Sequence, residues 1–209
     1  FPSDLKSLQN LVRYCHHEKI GIVPQGGNTG YSGGAIPDGT GTQLVICLEK
    51  LNNILRFDPD GATITTQAGI TLQRLREECA RKGFLFPLDI GSRGSCQIGG
   101  NLATNAGGIH VLRYGMARDL VLGLEVVLPD GRVMSDLRAL KKNNSGYDLK
   151  QLFVGSEGTL GIISAATLKI TTPPTKIITA FAGFENMQQT VKLLSNLRTN
   201  FGHSITSFE

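Results

Sequence analysis

The stretch Pro24–Gly34, PQGGNTGYSGG, follows the apolar run IGIVP and places five glycines in eleven residues. Two later segments share its character: Gly91–Gly108, GSRGSCQIGGNLATNAGG, and Gly155–Gly161, GSEGTLG. Glycine loses more freedom on ordering than any other residue, so such density needs a reason. Residues without side chains leave their backbone N–H groups uncovered, and convergent N–H groups in a turn form a concave site for phosphate oxygens. The chemistry this suggests is the binding of a diphosphate-containing cofactor. Asn28, Thr29, Asn101, Thr104 and Asn105 add neutral donors and acceptors suited to ribose, ribityl or ring atoms. One such cluster alone reads as a tight turn. Three in one chain, two of them after apolar segments, read as a cradle. Neither a GxGxxG after the first strand nor a GxxxxGK[ST] is present, which removes the main support for Rossmann and Walker-type sites.

The reactive side chains are fewer. His16 and His17 close the first helix, where positive charge is favourable, and read as a solvated face. His110 follows TNAGG and is either a loop-surface histidine or a neighbour of the bound cofactor, and His203 reads as a turn residue. Arg113, Arg118 and Asp119 read as structural ion-pair partners. Cys15, Cys47, Cys79 and Cys96 lack CxxC spacing and read as free thiols in a reducing compartment, with no metal site among them.

The chain of 209 residues is long enough for a sizeable core, and 40% of them are hydrophobic, with no apolar run of bilayer length. A formal charge of +4 arises from scattered lysines and arginines without a basic block, so nothing points to a nucleic-acid partner. The opening FPSDLKSLQ has neither a basic nor an apolar leader region, and no export signal is expected.

The elements that position the loops follow from periodicity. A helix is expected from a Ser3 cap, with Leu5, Leu8, Leu11, Val12 and Cys15 as its apolar stripe. Strands are expected at Ile20–Val23 and Leu44–Leu48, with a strand pair turning at Asp60-Gly61. Thr71 opens a second helix, carrying Leu72, Leu75 and Cys79 inward and stopping at Gly83. The segment 88–108 has no sustained period and reads as a long functional loop. A hairpin turning at Asp130-Gly131 and a strand running into Thr171 follow. Beyond Pro173-Pro174 the pattern becomes strand (Ile177–Ala182), helix (about 186–199) and strand (Ser204–Phe208), the start of a second unit whose sheet edges stay open.

In order, VPQGGNTGYSGG, FPLDIGSRGSCQIGGNLATNAGG, LRYG, RDLVLGLEVVLPDG, SGYDLKQLFVGSEGTLGIIS and TLKI resemble the FAD-binding domain of the vanillyl-alcohol-oxidase (PCMH) type. Among its members the motifs are most similar to D-2-hydroxyglutarate dehydrogenases, D-lactate dehydrogenases and glycolate oxidase flavin subunits. The resemblance spans Phe1 to Pro174 and implies an α+β fold of two subdomains clasping an extended FAD. A small, mostly parallel sheet would lie in 1–48 and a larger, mainly antiparallel one in 49–174. Residues 175–209 would begin a ferredoxin-like cap. It further implies that Gly26, Gly27, Asn28, Thr29 and Gly30 wrap the pyrophosphate, with Pro24, Gly33 and Gly34 in the same loop. Pro87, Leu88, Asp89, Gly94, Ser95, Gly99, Gly100, Asn101, Thr104, Asn105, Gly107 and Gly108 would line the dinucleotide and flavin channel. Glu157, Gly161, Ile162 and Ile163 would touch the adenosine end or its supporting strand.

Some relatives tether FAD through a histidine in the first glycine loop; Asn28-Thr29-Gly30 stands there in this chain, which implies non-covalent FAD. The implied activity is oxidation of a D-2-hydroxy acid by hydride transfer to flavin, with electrons leaving to an electron-transfer flavoprotein, a quinone or a cytochrome. In the family the base, the metal ligands and most substrate-binding arginines lie in the cap, so no catalytic or metal residue is assigned among these positions. The alternative is a flavin-binding module or truncated remnant without activity of its own. A flavin reductase of the peptidoglycan-precursor type is a weaker third reading, since it lacks the FPLDIGSRGSCQIGGN stretch. The expected location is cytoplasmic, or mitochondrial for a eukaryotic source, and a homodimer through the unfinished cap stays open.

Overall fold

The computed structural model describes residues 1–209. Helix α1 (Leu5–Glu18) is capped by Asp4, one residue later than the expected Ser3. Asp4 wins because it pairs reciprocally with Ser7: its carboxylate accepts the Ser7 N–H at 2.7 Å while the Ser7 hydroxyl takes the Asp4 N–H at 3.2 Å. Leu8, Val12 and Cys15 turn inward, and the helix ends at Lys19 in the left-handed conformation. Strand β1 (Gly21–Gln25) then runs directly into the first glycine loop and pairs in parallel with β2 (Gln43–Cys47).

The larger sheet is antiparallel throughout. Strands β3 (Ile54–Asp58) and β4 (Thr63–Gln67) form a hairpin whose turn is held by the Asp58 carboxylate accepting the Gly61 N–H at 2.9 Å. Helix α2 (Leu72–Arg81) starts at Thr71, whose hydroxyl accepts the Arg74 N–H, and buries Leu72, Leu75 and Cys79. Gly83, with φ of 78°, follows it where any side chain would be strained. The segment expected to be a long loop contains a short helix, α3 (Ile98–Ala103). Two one-turn helices, α4 (Val111–Tyr114) and α5 (Ala117–Leu120), lead into the hairpin β5 (Val121–Val127) and β6 (Val133–Asp136), with Gly131 at φ 79° in its turn. A further turn of helix, α6 (Lys150–Phe153), precedes β7 (Ile162–Lys169).

Strand β7 inserts between the two hairpins, giving the order β3-β4-β7-β5-β6. Because it is central, it is buried from Ile162 to Leu168, its polar Ser164 and Thr167 included. Helix α1 lies across the junction of the two sheets: it contacts β1, and Gln9 Nε2 donates to the Gly131 carbonyl at the tip of the β5–β6 hairpin. One apolar cluster runs from Leu8 and Val12 through Ile46, Leu75 and Ile98 to Val126 and Leu168, so both sheets share a core.

After Thr171 the expected strands at 177–182 and 204–208 do not form. Helix α7 (Met187–Phe201), capped by Asn186, and a single 3-10 turn at Gly202–Ser204 are the regular structure there. A strand needs a neighbour to pair with, and neither segment lies along the free edges at β3 and β6. Helix α7 buries no residue.

Candidate cofactor-binding site

Helix α3 is the hub of the site. The turn at Ala68–Ile70, with Thr71 and the first residue of α2, lies beside its N-terminal end: Ile98 N–H donates to the Ile70 carbonyl at 3.0 Å, Gly99 N–H to Ala68 at 2.7 Å, and Leu72 N–H returns to Cys96 at 3.0 Å. Gly99 is glycine because an added Cβ would sit 2.8 Å from that of Ala68. At the other end, the Leu102 and Ala103 carbonyls accept the N–H groups of Gly155 and Glu157 at 3.0 and 2.8 Å, docking the third glycine segment. Glu157 adopts φ of 54° to make that contact. The first loop joins from the opposite side. An added Cβ on Gly27 would lie on top of the Ser95 carbonyl, so the bare Cα is what lets the two backbones touch.

The three glycine segments thus line one cleft of about 650 Å³, bounded by Pro24–Ser32, Gly34 and Ala35, by Ile90–Ser92 with Cys96–Ala106 in part, and by Glu157, Gly158 and Gly161–Ile163. That volume falls in the range of small-molecule and cofactor sites. No lysine or arginine lines it, and Glu157 is its one ionisable carboxylate. The donors are on the main chain instead: no backbone N–H from Gly26 through Ala35 donates to an acceptor in the protein. Two side-chain amides on the α3 wall, Gln97 and Asn101, are also without partners, and their carbonyl oxygens are sealed from solvent. Unpaired polar groups at this density, around a cavity framed by glycine, fit an anionic ligand with further polar groups.

The expected residues divide. Pro24, Gly26, Gly27, Asn28, Thr29, Gly30, Gly34, Gly99, Gly100, Asn101, Thr104, Glu157, Gly161, Ile162 and Ile163 line the cleft. The others lie behind its walls or away from it. The Pro87 carbonyl is bonded by His110 at 3.0 Å, and Leu88 is a core residue. Asp89 is buried against two arginines, Arg76 at 2.5 Å and Arg93 at 2.9 Å. Burial by itself raises its carboxyl pKa, but the hydrogen bonds and charges of Arg76 and Arg93 outweigh this and hold it below the usual carboxylate range. Its carbonyl also accepts the Ile109 N–H at 3.2 Å, with Gly108 packed on the same oxygen, so Asp89 ties α2 and the 108–109 turn to the wall at Ile90–Ser92.

Gly94 faces the Gln73 side chain, and Ser95 opens on a shallow groove behind the first loop. Asn105 accepts the Arg118 N–H at 3.0 Å, Gly107 packs on Val111 and Met116, and Gly33 stands in open space at φ 76°. His110 lies outside the cleft, against Pro87 and edge-on to Tyr114.

Arg118 and Asp119 are not the expected ion pair. The Arg118 guanidinium donates to the Gln151 side-chain and backbone oxygens and to the Val154 carbonyl, fixing the turn before the third glycine segment. Asp119 accepts the Met116 N–H at 2.8 Å. Arg113 stacks over the Tyr114 ring, 5.0 Å from its centroid.

Cys96, Gln97, Ile90, Ser92 and Gly158 line the cleft without having been expected. Gln97 and Asn101 are one helical turn apart, the signal that exposes them as a pair, but Gly99 and Gly100 between them mask the helix. All four cysteines are free.

A glycine-framed cleft between a small parallel and a larger antiparallel sheet, with a row of unpaired amides along one wall, defines a phosphate-bearing cofactor site. Residues 1–136 match the family model described as FAD binding domain: the chain belongs to that family, and FAD is its cofactor. The chain is 42% identical over 208 residues to a Bos taurus protein named D-2-hydroxyglutarate dehydrogenase, mitochondrial, covering 100% of this chain and 38% of the relative. It is 39% identical, again over 100% of the chain and 39% of the relative, to a Schizosaccharomyces pombe protein named putative D-lactate dehydrogenase, mitochondrial. The chain therefore spans well under half the length of these relatives. Among solved structures, alkyldihydroxyacetonephosphate synthase superposes with a TM-score of 0.80 at 26% identity, over 95% of this chain and 36% of the other. No helix here is long and apolar enough to cross a membrane.

Proposed function

We propose that this chain is the FAD-binding portion of a dehydrogenase that oxidises a D-2-hydroxy acid of the D-2-hydroxyglutarate or D-lactate type. The observation that carries the cofactor assignment is the set of unpaired N–H groups from Gly26 to Ala35, in a loop most of whose residues line a cleft without basic side chains. With no lysine or arginine present, main-chain dipoles and the neutral donors of the same loop, Asn28, Thr29 and Ser32, are the groups available to hold the diphosphate. In this reading Gly26–Gly30 hold the pyrophosphate, Gly99, Gly100, Asn101 and Thr104 border the flavin-side channel, and Glu157 with Gly161–Ile163 bound the adenosine side. Residues 1–174 form the FAD-binding unit and 175–209 open a second one that contributes substrate contacts.

Bound FAD would supply the redox chemistry, taking hydride from the carbon that bears the hydroxyl and releasing electrons to a separate acceptor such as a flavoprotein, quinone or cytochrome. The chain's own residues bind and orient the cofactor. No histidine lines the cleft, and its one carboxylate, Glu157, stands on the adenosine side in this reading, so the group that removes the hydroxyl proton is assigned to another region of the enzyme. The stretch Asn28-Thr29-Gly30, where a tethering histidine stands in some relatives, supports FAD held without a covalent bond. The names of the relatives favour a mitochondrial over a cytoplasmic address for a eukaryotic source.

Titration of the flavin-free chain with FAD tests the first step, and acid precipitation tests the link: the reading expects one FAD per chain, released into the supernatant. Turnover of D- but not L-2-hydroxyglutarate or lactate by the full-length enzyme, with an artificial acceptor, tests the second. Flavin binding without turnover in the full-length enzyme would favour the module without activity.

A further inference from the structure

Residues 25–35 form a flap at the mouth of the cleft. Gln25 Nε2 donates to the Ala35 carbonyl at 2.8 Å, which clasps together two positions ten residues apart. Compact loops closed at the base in this way frequently carry function. Above the clasp little holds the flap: none of the backbone N–H groups from Gly26 to Ala35 is paired, and an added Cβ on Gly30 or Gly33 would meet nothing within 4 Å. Tyr31 stands near the middle of this span. It is fully exposed and yet lines the cleft, so it belongs to the rim. It is also the one aromatic residue among those that line the cleft. A single exposed aromatic on a surface is ordinary. One carried by a loosely held flap at the rim of a ligand cleft is placed to cover what enters, and FAD brings two flat ring systems whose faces N–H donors cannot recognise.

The course of the flap selects the ring. Its first limb starts against α3, where an added Cβ on Gly26 would lie 3.5 Å from the Gln97 side chain. Its returning limb ends against the third glycine segment, where an added Cβ on Gly34 would lie 3.6 Å from Glu157 Oε2. Tyr31 follows the residues proposed to hold the diphosphate, on the limb that returns toward Glu157 and the adenosine side. We infer that Tyr31 closes over the adenine of the bound cofactor, its ring stacked on the face of the base left open by the cleft. The inference rests on the FAD reading above and adds to it a residue which that reading leaves without a role. Stacking uses the ring and not the hydroxyl, so phenylalanine serves equally, and its loss weakens binding by about five- to 150-fold.

The test uses Tyr31→Ala and Tyr31→Phe in the 209-residue chain. FAD binding is followed by flavin fluorescence, binding of ADP, which lacks the flavin and ribityl groups, by competition, and folding of the flavin-free chain by thermal melting. Because a fully exposed side chain supports nothing in the flavin-free chain, both variants are expected to melt within about 2 °C of it. Tyr31→Ala is expected to weaken FAD and ADP by the same factor, in the range above, and Tyr31→Phe to bind both within about threefold of the unchanged chain. Nitration of the unchanged chain with tetranitromethane, read by mass spectrometry, gives a second measure: FAD and ADP should each protect Tyr31 while Tyr147, exposed and outside the cleft, reacts as before. FAD affinity unchanged in Tyr31→Ala overturns the inference. So does a loss confined to FAD with ADP unaffected, which would put the ring over the flavin, and so does an equal loss in Tyr31→Phe, which would make the hydroxyl the contact. Nitration of Tyr31 that proceeds undiminished under saturating FAD or ADP overturns it as well. Failure of the unchanged chain to bind FAD overturns the cofactor reading itself, a result distinct from these.

Discussion

Two glycines in the cleft are glycine for different reasons, and substituting each by alanine separates cofactor binding from folding. At Gly100, in α3, a Cβ would meet no protein atom within 4 Å, and the backbone is not in the left-handed region. The new methyl would stand in the cleft. Glycine in a helix interior is about 0.5–1 kcal/mol less favourable than alanine, so the flavin-free Gly100→Ala chain should melt about 1–4 °C higher, given roughly 2–4 °C per kcal/mol for a chain of this size. Against a cofactor packed on this wall, an extra methyl costs about 1–3 kcal/mol, a five- to 150-fold weaker FAD affinity. Gly27→Ala behaves otherwise, because its Cβ would overlap the Ser95 carbonyl and push the backbones of the first loop and the 95–96 turn away from each other. It should lower the melting temperature and FAD binding together. Thermal melts of flavin-free protein and FAD titrations by fluorescence give both quantities. A Gly100→Ala chain that binds FAD as tightly as the unchanged one would refute the claim that the cofactor's atoms approach α3 closely.

Asp89→Asn should cost about 1.5–3 kcal/mol in urea unfolding, because the hydrogen bonds from Arg76 and from the half-exposed Arg93 lose their charged partner. The pH dependence follows from the same pair. Asp89 is held below its unfolded pKa of about 4, so its contribution is full above that pH and is lost as pH falls through the lower folded value; the unfolding free energy of Asp89→Asn should fall less between about pH 5 and 2 than that of the unchanged chain. Burial, with the nearby Glu78 charge adding, pushes the Cys79 thiol up to about 12, and Cys15 and Cys96 are buried as well. Alkylation of the native chain at neutral pH, read by mass spectrometry, should therefore mark Cys47 first, and rapid labelling of Cys79 would contradict the packing of α2. Asp4→Ala, which removes the α1 cap and its reciprocal bond to Ser7, should lower the unfolding free energy in the same assay.

Where side-chain period and turn chemistry act locally, the sequence was readable. The Asp-Gly turns mark both hairpins, the Thr71 cap and Gly83 bound α2, and Leu8, Val12 and Cys15 fall inward as their spacing requires. The three glycine segments also announce the cleft, because dense glycine is costly unless backbones must meet. Helix α3 was hidden by Gly99 and Gly100, two poor helix formers that are present for close packing and for the cleft wall; its first turn is held by the carbonyls of Ala68 and Ile70, about thirty residues earlier in the chain. Tertiary bonding outweighed local propensity there.

Proximity in a motif could not say which side of a wall a residue occupies. Asp89 sits next to the lining residue Ile90 yet turns its carboxylate to α2, and Arg118, next to Asp119, reaches instead for carbonyls at Gln151 and Val154. The tail shows the reverse error. Ile177–Ala182 has strand composition, but a strand exists only with a partner, and none lies beside it.

The central claim is that uncovered main-chain amides of the first glycine loop hold the cofactor's diphosphate. Amide hydrogen exchange of the chain with and without saturating FAD reads those groups individually. Exchange from Gly26 to Gly30 should slow at least tenfold on binding, with smaller changes in the exposed helix α7. FAD bound at one per chain with exchange in that loop unchanged would contradict it.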